Sequence, residues 1–306
     1  MKDYQYQKQK MLKDLPIKDL ILKEEELFNY NGDDRVVPAS ELKLELDKTD
    51  DSIYKVLTGI PSMDRILDGV ECGELVVITG LSGEGKTTFM MTITSNMAEA
   101  GVKSIWFTLE VTPRQFLKKI TARTDSLPDF FLPMDNKDNT LAWIEARIFE
   151  SKTKFGTKVV FIDHINMIYS LEQSRGNISL EIADLVAKIK QIAIKYNQII
   201  FLVAHCKDPE SKMEPTQRSI RDSGMIVRLA DTVMGVWRIR NDSAVDSTTL
   251  KELDEDDNQA KVRIWKNRRT GKLGFFFMEH ENHYLKEIDK AGGLAAFVKE
   301  LRKPLF

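Results

Sequence analysis

The stretch GLSGEGKTTF, from Gly80 to Phe89, decides the fold of this chain. It follows the apolar run ELVVIT (74–79), which is typical of a buried strand, and it precedes apolar residues at helical spacing. Gly80 to Thr87 match G-x-x-x-x-G-K-[ST] completely, in the strand–loop–helix context of a phosphate-binding loop. Glycines let backbone N–H groups surround phosphate oxygens, and the helix N-terminus favours negative charge. The motif therefore predicts a nucleotide site.

The polar residues of this loop have different expected tasks. Lys86 should reach the β- and γ-phosphates, and the Thr87 hydroxyl should hold one position of Mg²⁺. The predicted cofactors are therefore ATP and Mg²⁺. The loop residues predicted to bind the nucleotide are Gly80, Ser82, Gly83, Glu84, Gly85, Lys86, Thr87 and Thr88.

Three other apolar runs end in residues that could complete a catalytic site. KVVFIDH contains Asp163, where a carboxylate can support the metal ion through water. SIWFTLE ends in Glu110, which could polarise an attacking water molecule. IIFLVAH ends in His205, a donor that could sense the γ-phosphate. An acid at a strand exit, or a histidine after a strand, is also common without any catalytic role.

The order of the apolar segments predicts the fold class. Short strand-like runs alternate with amphipathic helices, which is typical of an α/β fold with a mainly parallel central sheet flanked by helices. The strand-like runs are 74–79, 103–109, 158–162, 199–204 and 232–237, and the clearest helix is 180–196. Near the C-terminus, KVRIWK, LGFFFME and HYLKEI follow one another closely, as antiparallel strands would. The segment 240–259 is polar and acidic, which favours a loop.

Composition sets limits on the class of protein. The 306 residues are 42% hydrophobic, and 45 basic residues nearly cancel 47 acidic ones. Any nucleic-acid surface must therefore be local. The two cysteines lie far apart in sequence, which favours a reducing, cytoplasmic compartment and excludes a four-cysteine zinc site. No run approaches the length of a membrane span, and the first residues lack the apolar core of a signal peptide.

The first 50 residues differ from the rest and predict a division of the chain. Residues 1–50 form a charged segment with a linker helix, and residues 51–306 form the ATPase domain. The expected helix carries one apolar stripe, made of Ile17, Leu20, Ile21, Leu27 and Phe28. This stripe could fold back on its own domain or dock on another subunit, and the sequence leaves both possibilities open.

Several segments together resemble one family of motor proteins. They are TGIPSMDRILDG, GELVVITGLSGEGKTTF, WFTLE, VVFIDHINMI, FLVAHCKDP, IRDSGMIVRLADTVMGV and KNRRTGKLGF, in this order. They are similar to RecA-type hexameric helicases of the DnaB/Twinkle superfamily, above all to the helicase half of phage primase-helicases. The similarity covers roughly residues 53–288 and implies a RecA-like P-loop NTPase fold.

The resemblance implies roles for individual residues. Lys86 and Thr87 bind phosphate and Mg²⁺, and Asp163 supports the metal. Glu110 is the catalytic base, and His205 is the γ-phosphate sensor that links the nucleotide to a DNA-binding loop. The remaining positions implied by the resemblance are Arg268, an arginine finger given to the neighbouring subunit's ATP, Lys266 beside it, and Arg238 and His280 against the adenine.

The resemblance also implies partners. The chain would form a ring, most often a hexamer, around single-stranded DNA and could work with a primase or polymerase in a phage-infected cell or an organelle matrix. Two loops, 170–179 and 207–219, should face the DNA. Their expected phosphate contacts are Arg175, Lys207, Lys212 and Arg218.

The chain also departs from the family, and two other functions remain open. The family usually has a glutamine that contacts the γ-phosphate where this chain has Arg228. A primase module is not expected before the motor.

TGIPSMDRILDG would also suit a RecA/RadA-like recombination ATPase that forms filaments on DNA. The second of these other functions is that of a KaiC-like regulatory ATPase, which acts on protein partners.

Overall fold

The computed structural model describes most of residues 51–306 and part of the segment before them. The described residues are 29–32, 35–48, 55–121, 127–135, 138, 140–165, 167–168, 178–205, 216, 223–239, 259–281 and 284–288. They fall into two compact units, divided between Ile53 and Tyr54. The predicted apolar stripe of the linker helix and the polar segment 240–258 lie outside the described residues.

The first unit contributes one described helix, α1 (Ala39–Leu46), in which no residue is buried. The second unit begins with a small antiparallel pair, β1 (Lys55–Val56) and β2 (Val70–Glu71), which flank helix α2 (Pro61–Leu67). Its described helices continue as α3 (Lys86–Glu99), α4 (Pro113–Thr121), α5 (Leu141–Phe155), α6 (Ile178–Lys195) and α7 (Ser223–Leu229). None of the helices in the described ranges is both long and apolar enough to cross a membrane.

A nine-stranded sheet forms the centre of the second unit, counted over its described residues. The strands are β3 (Leu75–Gly80), β4 (Ser104–Thr108), β5 (Phe130–Phe131), β6 (Val159–Asp163), β7 (Ile199–His205), β8 (Thr232–Arg238), β9 (Gln259–Asn267), β10 (Gly274–Glu281) and β11 (Tyr284–Ile288). Their order across the sheet is β11-β10-β9-β8-β3-β7-β6-β4-β5. Strands β8, β3, β7, β6, β4 and β5 pair in parallel, and β8 to β11 pair antiparallel.

Strand β3 is buried along its whole length because helices cover both faces of the sheet at its centre. Successive side chains of a strand point to opposite faces. Val76 and Ile78 accordingly join one core with α3, while Leu75 and Val77 join a second core with α6. The apolar runs therefore lack the polar alternation of a half-exposed strand, as is usual in buried parallel sheets.

The predicted fold class is confirmed, and so are the predicted strands and the helix at 180–196. The three closely spaced runs near the C-terminus form the antiparallel part of the sheet, as expected. The short edge strand β5 was not predicted, because its two residues carry no periodic pattern. The position of β3 between β7 and β8 was not predicted either, since strand order depends on contacts between distant segments.

Gly235 in β8 tests the packing of the antiparallel part of the sheet. A Cβ atom on Gly235 would lie 2.2 Å from Cη2 of Trp265, whose indole crosses the strand. We expect Gly235→Ala to lower the free energy of unfolding by about 1–3 kcal/mol, as overpacking usually does. Urea denaturation measures this loss.

A smaller ring should relieve that clash. A Trp265→Phe background lacks the Cη2 atom. In this background Gly235→Ala should lower the free energy of unfolding by clearly less. Gly224→Ala is the matched control, since a Cβ on Gly224 in α7 meets no atom within 4 Å. An equal cost of Gly235→Ala in both backgrounds would contradict this account of the packing.

Candidate nucleotide-binding site

The glycine-rich loop leaves β3 at Gly80 and is pressed against the end of β8. A Cβ atom on Gly80 would lie 2.4 Å from the carbonyl oxygen of Val236, so only glycine fits there. The loop ends at Gly85, which immediately precedes α3 with φ of 92°. This left-handed conformation costs glycine little and other residues more. Two glycines of the motif are therefore required by backbone geometry.

Lys86 directs its ammonium group into the turn of this loop. Its Nζ donates to the carbonyl oxygens of Gly80, at 2.9 Å, and Leu81, at 2.6 Å. The residue is only 7% exposed. A phosphate group held by the loop would meet this cation together with the N–H groups that begin α3. Of the other loop residues, Ser82 and Gly83 are exposed and Thr88 is half-buried.

Thr87 and Asp163 form an oxygen pair beside the loop. The Thr87 hydroxyl donates to Oδ2 of Asp163 at 2.6 Å, although the two residues come from α3 and β6. Burial raises the pKa of Asp163, and the hydrogen bond from Thr87 only partly opposes this. Mg²⁺ prefers oxygen ligands and usually takes one or two from protein, with phosphates and water supplying the rest. The pair fits such an ion.

The ends of β4, β6 and β7 bring an acid and two histidines together. Glu110 follows β4, and its side chain is 68% exposed. Its Oε2 lies 3.7 Å from Nδ1 of His164, which is beyond hydrogen-bond distance. The His205 ring meets the His164 ring edge to face, with 4.2 Å between centroids. Glu110 and His205 are therefore connected through His164.

His164 is a member of this group that the sequence reasoning missed. It is buried, and burial lowers the pKa of its imidazole, although Asp163 and Glu110 act in the opposite direction. A neutral imidazole can contact both neighbours without adding a buried charge. Its position directly after Asp163, at the end of a buried strand, is the signal that could have identified it.

Glu84 connects the loop to the strand that carries Arg238. The residue is only 1% exposed, and its carboxylate accepts the backbone N–H of Arg238 at 2.5 Å. His280 of β10 also lies close, since its Nε2 is 3.7 Å from where a Cβ on Gly85 would stand. Arg238 and His280, the two positions that the resemblance relates to the adenine, therefore both adjoin the loop.

Lys266 lies elsewhere, at the C-terminal end of α7. Its ammonium group donates to the carbonyl oxygens of Val227 and Ala230, both at 2.6 Å, and to that of Arg228 at 3.1 Å. Burial lowers the pKa of Lys266, and the nearby Arg268 lowers it further. Cations stabilise the C-terminal end of a helix in this way.

Arg268 lies at the same edge of the sheet as Lys266. Its Nη1 is 3.2 Å from Oδ1 of Asp231, and Oδ2 of Asp231 accepts the N–H of Leu75, the first residue of β3. Gly80, the last residue of β3, begins the loop. Five residue steps along a strand span about 16 Å. Arg268 and Lys266 therefore lie far from the loop of their own subunit.

The four predicted DNA contacts lie outside the described residues. They are Arg175, Lys207, Lys212 and Arg218. His205 is the last described residue before the second of the two predicted loops.

Asp163 should reduce the stability of the nucleotide-free protein. A carboxyl whose pKa is raised by folding stabilises the native state when protonated, so stability falls as pH rises through the interval between its unfolded and folded pKa. We expect Asp163→Asn to raise the Tm of the nucleotide-free protein at pH 7.5, and this gain should shrink as the pH is lowered towards 4. Thermal denaturation across this pH range measures the effect.

Asp163→Asn should also gain less thermal stability than wild-type protein when Mg²⁺ and ATP are added. Wild-type protein should gain stability from Mg²⁺ with ATP, and Asp163→Asn should lose most of that gain. Asp184→Asn is the control, because Asp184 forms an exposed pair with Lys188 on α6 and should leave the Tm nearly unchanged. A lower Tm for nucleotide-free Asp163→Asn would show that the carboxylate stabilises the site.

With the geometry established, comparisons identify the family. The model of the DnaB-like helicase C terminal domain matches residues 55–130 and 117–287. Replicative DNA helicase DnaC of Bacillus subtilis (strain 168) is 23% identical over 275 residues, covering 78% of this chain and 59% of that protein. A probable replicative DNA helicase of Trieres chinensis is 24% identical over 292 residues, covering 82% of this chain and 61% of that protein. The chain thus spans about three fifths of each relative.

Solved structures agree on the fold. A solved ATPase domain superposes with a TM-score of 0.61 at 16% identity, covering 82% of this chain and 97% of that domain. A DnaB-like replicative helicase, solved in a study of its interactions with primase, gives a TM-score of 0.63 at 17% identity over 92% of this chain and 74% of its own. Because the family model covers most of the chain, the protein belongs to the DnaB-like helicase C-terminal domain family.

Proposed function

We propose that this chain is the motor of a ring-forming, ATP-driven translocase on single-stranded DNA, a replicative helicase that unwinds duplex DNA. One observation supports it above all. Lys86, Thr87 and Asp163 meet at the carboxyl edge of the parallel strands, with Glu110 nearby, while Arg268 lies at the opposite edge. A complete hydrolytic site would therefore need two subunits.

In the proposed mechanism, side chains at the carboxyl edge hold and activate the reactants. Lys86 and the loop N–H groups would bind the β- and γ-phosphates, and Thr87 and Asp163 would hold Mg²⁺. When bound there, Mg²⁺ would supply positive charge to the phosphate oxygens. Glu110 orients a water molecule and accepts its proton as the water attacks the γ-phosphorus. Its exposed carboxylate leaves room for that water.

Arg268 would act on the ATP of the neighbouring subunit. The separation along β3 prevents it from reaching its own loop, and its side chain is 52% exposed. An arginine finger stabilises the charge that develops on the transferred phosphoryl group. Lys266 lies two residues before Arg268 and would add positive charge to the same interface.

His205 would couple the nucleotide to DNA. It follows β7, contacts His164 beside Glu110, and precedes Lys207 by two residues. A change at the γ-phosphate could therefore be transmitted to the predicted DNA-binding segment 207–219. Single-stranded DNA is the proposed partner inside the ring, and a primase or polymerase could bind outside it. Such an enzyme would act in the cytoplasm of a cell, a phage-infected host or an organelle matrix.

Two assays separate this function from its alternatives. A helicase shows both ATPase stimulation by single-stranded DNA and strand displacement. A RecA/RadA-like filament former shows only the stimulation, and a KaiC-like regulator shows neither. The match to the DnaB-like family favours the helicase. Absence of strand displacement by assembled rings, with Mg²⁺ and ATP present, would refute the proposal.

Glu110→Gln tests the chemistry. Glutamine keeps the shape of the side chain but cannot accept a proton. We expect ATP binding close to that of wild type and turnover lower by about 10² or more, the usual scale for loss of a general base. Equilibrium binding and steady-state ATPase assays measure the two quantities. Glu150→Gln, which removes the charge that pairs with Lys154 and Arg147 on α5, is the control and should leave turnover nearly unchanged. Normal turnover in Glu110→Gln would remove this residue from the mechanism.

A mixture of two inactive variants tests the ring. Lys86→Ala should fail to bind the nucleotide, and Arg268→Ala should bind it but lose about 10³–10⁵ in rate, the range found for arginine fingers. Mixed rings contain interfaces where an intact loop meets an intact finger, so some ATPase activity should return. Mass measurements on the mixtures establish that mixed rings form. If they form and stay inactive, Arg268 does not act in trans.

A further inference from the structure

Asp231 is a buried carboxylate at the junction of four elements. The residue is 6% exposed and lies between α7 and β8. Its Oδ2 accepts the N–H of Leu75 at 2.8 Å and the ammonium of Lys190, on α6, at 2.5 Å. Its Oδ1 is 3.2 Å from Nη1 of Arg268. Three partners from three segments of the chain therefore fix the direction of this carboxylate.

The backbone of Asp231 adds two further connections. Its N–H donates to the carbonyl oxygen of Leu75 at 2.9 Å, and its carbonyl oxygen accepts the N–H of Arg268 at 2.8 Å. A carboxylate held this way cannot turn away from the guanidinium without breaking several bonds. Buried charged groups are tolerated when they are paired and hydrogen-bonded, as here.

The guanidinium of Arg268 is held along one side only. Besides Asp231, it donates from Nη2 to the carbonyl oxygen of Arg228 at 2.7 Å. A guanidinium carries five N–H bonds, and two of them are engaged in these contacts. Within the described part of the chain no other hydrogen bond engages the guanidinium of Arg268, whose side chain is half exposed. The remaining donors are available to an anion.

We propose that Asp231 is the positioning residue of the arginine finger, and that it fixes Arg268 in the orientation that meets the neighbouring subunit's γ-phosphate. This inference rests on the proposed function, in which Arg268 acts in trans. A free arginine side chain would have to be ordered at each catalytic cycle. An arginine already anchored at two N–H bonds presents the other three in a fixed geometry, which is the preorganisation that charge stabilisation in catalysis requires.

A purely structural role for Asp231 makes a different prediction. Asp231 also holds the first residue of β3, and β3 leads directly to the phosphate loop of the same subunit. If Asp231 served only to fix this strand, its loss would damage the loop in cis. If it positions Arg268, its loss damages the site of the neighbour. Mixed rings distinguish these two effects.

The test uses the mixture of Lys86→Ala and Arg268→Ala subunits described above. Asp231→Asn is added to one or the other of these two subunits. Asparagine keeps the size of the side chain, and its oxygen can still accept the Leu75 N–H, but it lacks the charge that holds Arg268. In the first mixture the substitution is added to the Lys86→Ala subunit, which supplies the finger. In the second it is added to the Arg268→Ala subunit, which supplies the loop. ATPase activity is compared with that of the unmodified mixture.

We expect the ATPase activity of the first mixture to fall by about 10- to 100-fold, the scale found when supporting residues or the reacting geometry are disturbed. The fold-decrease in the second mixture should be at least ten times smaller. Glu74→Gln in the Lys86→Ala subunit is the matched control. Glu74 is a neighbouring partly buried acid, but it binds Arg269 rather than Arg268. It should leave the activity of the mixture within about twofold.

Three results would overturn the proposal. Equal losses in both placements would make Asp231 a structural residue that acts through β3. No loss in either placement would show that Arg268 needs no anchor. Inactivity of the unmodified mixture, in rings shown to assemble, would refute the trans finger itself and this inference with it. If Asp231→Asn does not fold, Asp231→Ser, whose hydroxyl oxygen can accept the Leu75 N–H, replaces it with the same expected dependence on placement.

Discussion

The pairing of β3 between β7 and β8 is the constraint on which the proposed site depends. Buried side chains on both faces and parallel pairing on both sides hold this strand. Its last residue, Gly80, begins the phosphate loop, and its first residue, Leu75, is bonded to Asp231 beside Arg268. The two ends of a rigid strand cannot approach each other. Arg268 is therefore held apart from the loop of its own chain, and in the proposed ring each loop would meet the Arg268 of a neighbouring subunit.

Much of this could be predicted from local patterns. The glycine-rich loop is a continuous motif, and strand and helix periodicities on either side of it are strong. The position of Asp163 and Glu110 at the same edge of the sheet could also be predicted, because the carboxyl ends of neighbouring parallel strands lie together there. The antiparallel strands near the C-terminus were predictable from their short spacing. Each of these features depends on residues that are near in sequence or on a general rule of topology.

Two contacts that the sequence did not predict join residues far apart in the chain. Asp231 accepts the N–H of a residue 156 positions away, and no pattern near Asp231 indicates this. Glu84 was predicted to bind the nucleotide, yet its buried carboxylate accepts the backbone N–H of Arg238, 154 positions away. Both contacts require β8 to lie next to β3. The sequence could not predict this neighbour relation, so these two contacts could not be predicted either.

The charge distribution at the first residue of β3 explains how a single chain can hold Arg268 half exposed. Lys190 and Arg268 share the carboxylate of Asp231, while the Lys266 ammonium group is held by carbonyl oxygens at the end of α7. Each of the three cations thus has a hydrogen-bond acceptor within the subunit, so none is buried without compensation. Two cations on one carboxylate still leave local positive charge, even though basic and acidic residues nearly cancel over the whole chain. In the proposed ring, this charge would attract the phosphates of the neighbouring subunit's nucleotide.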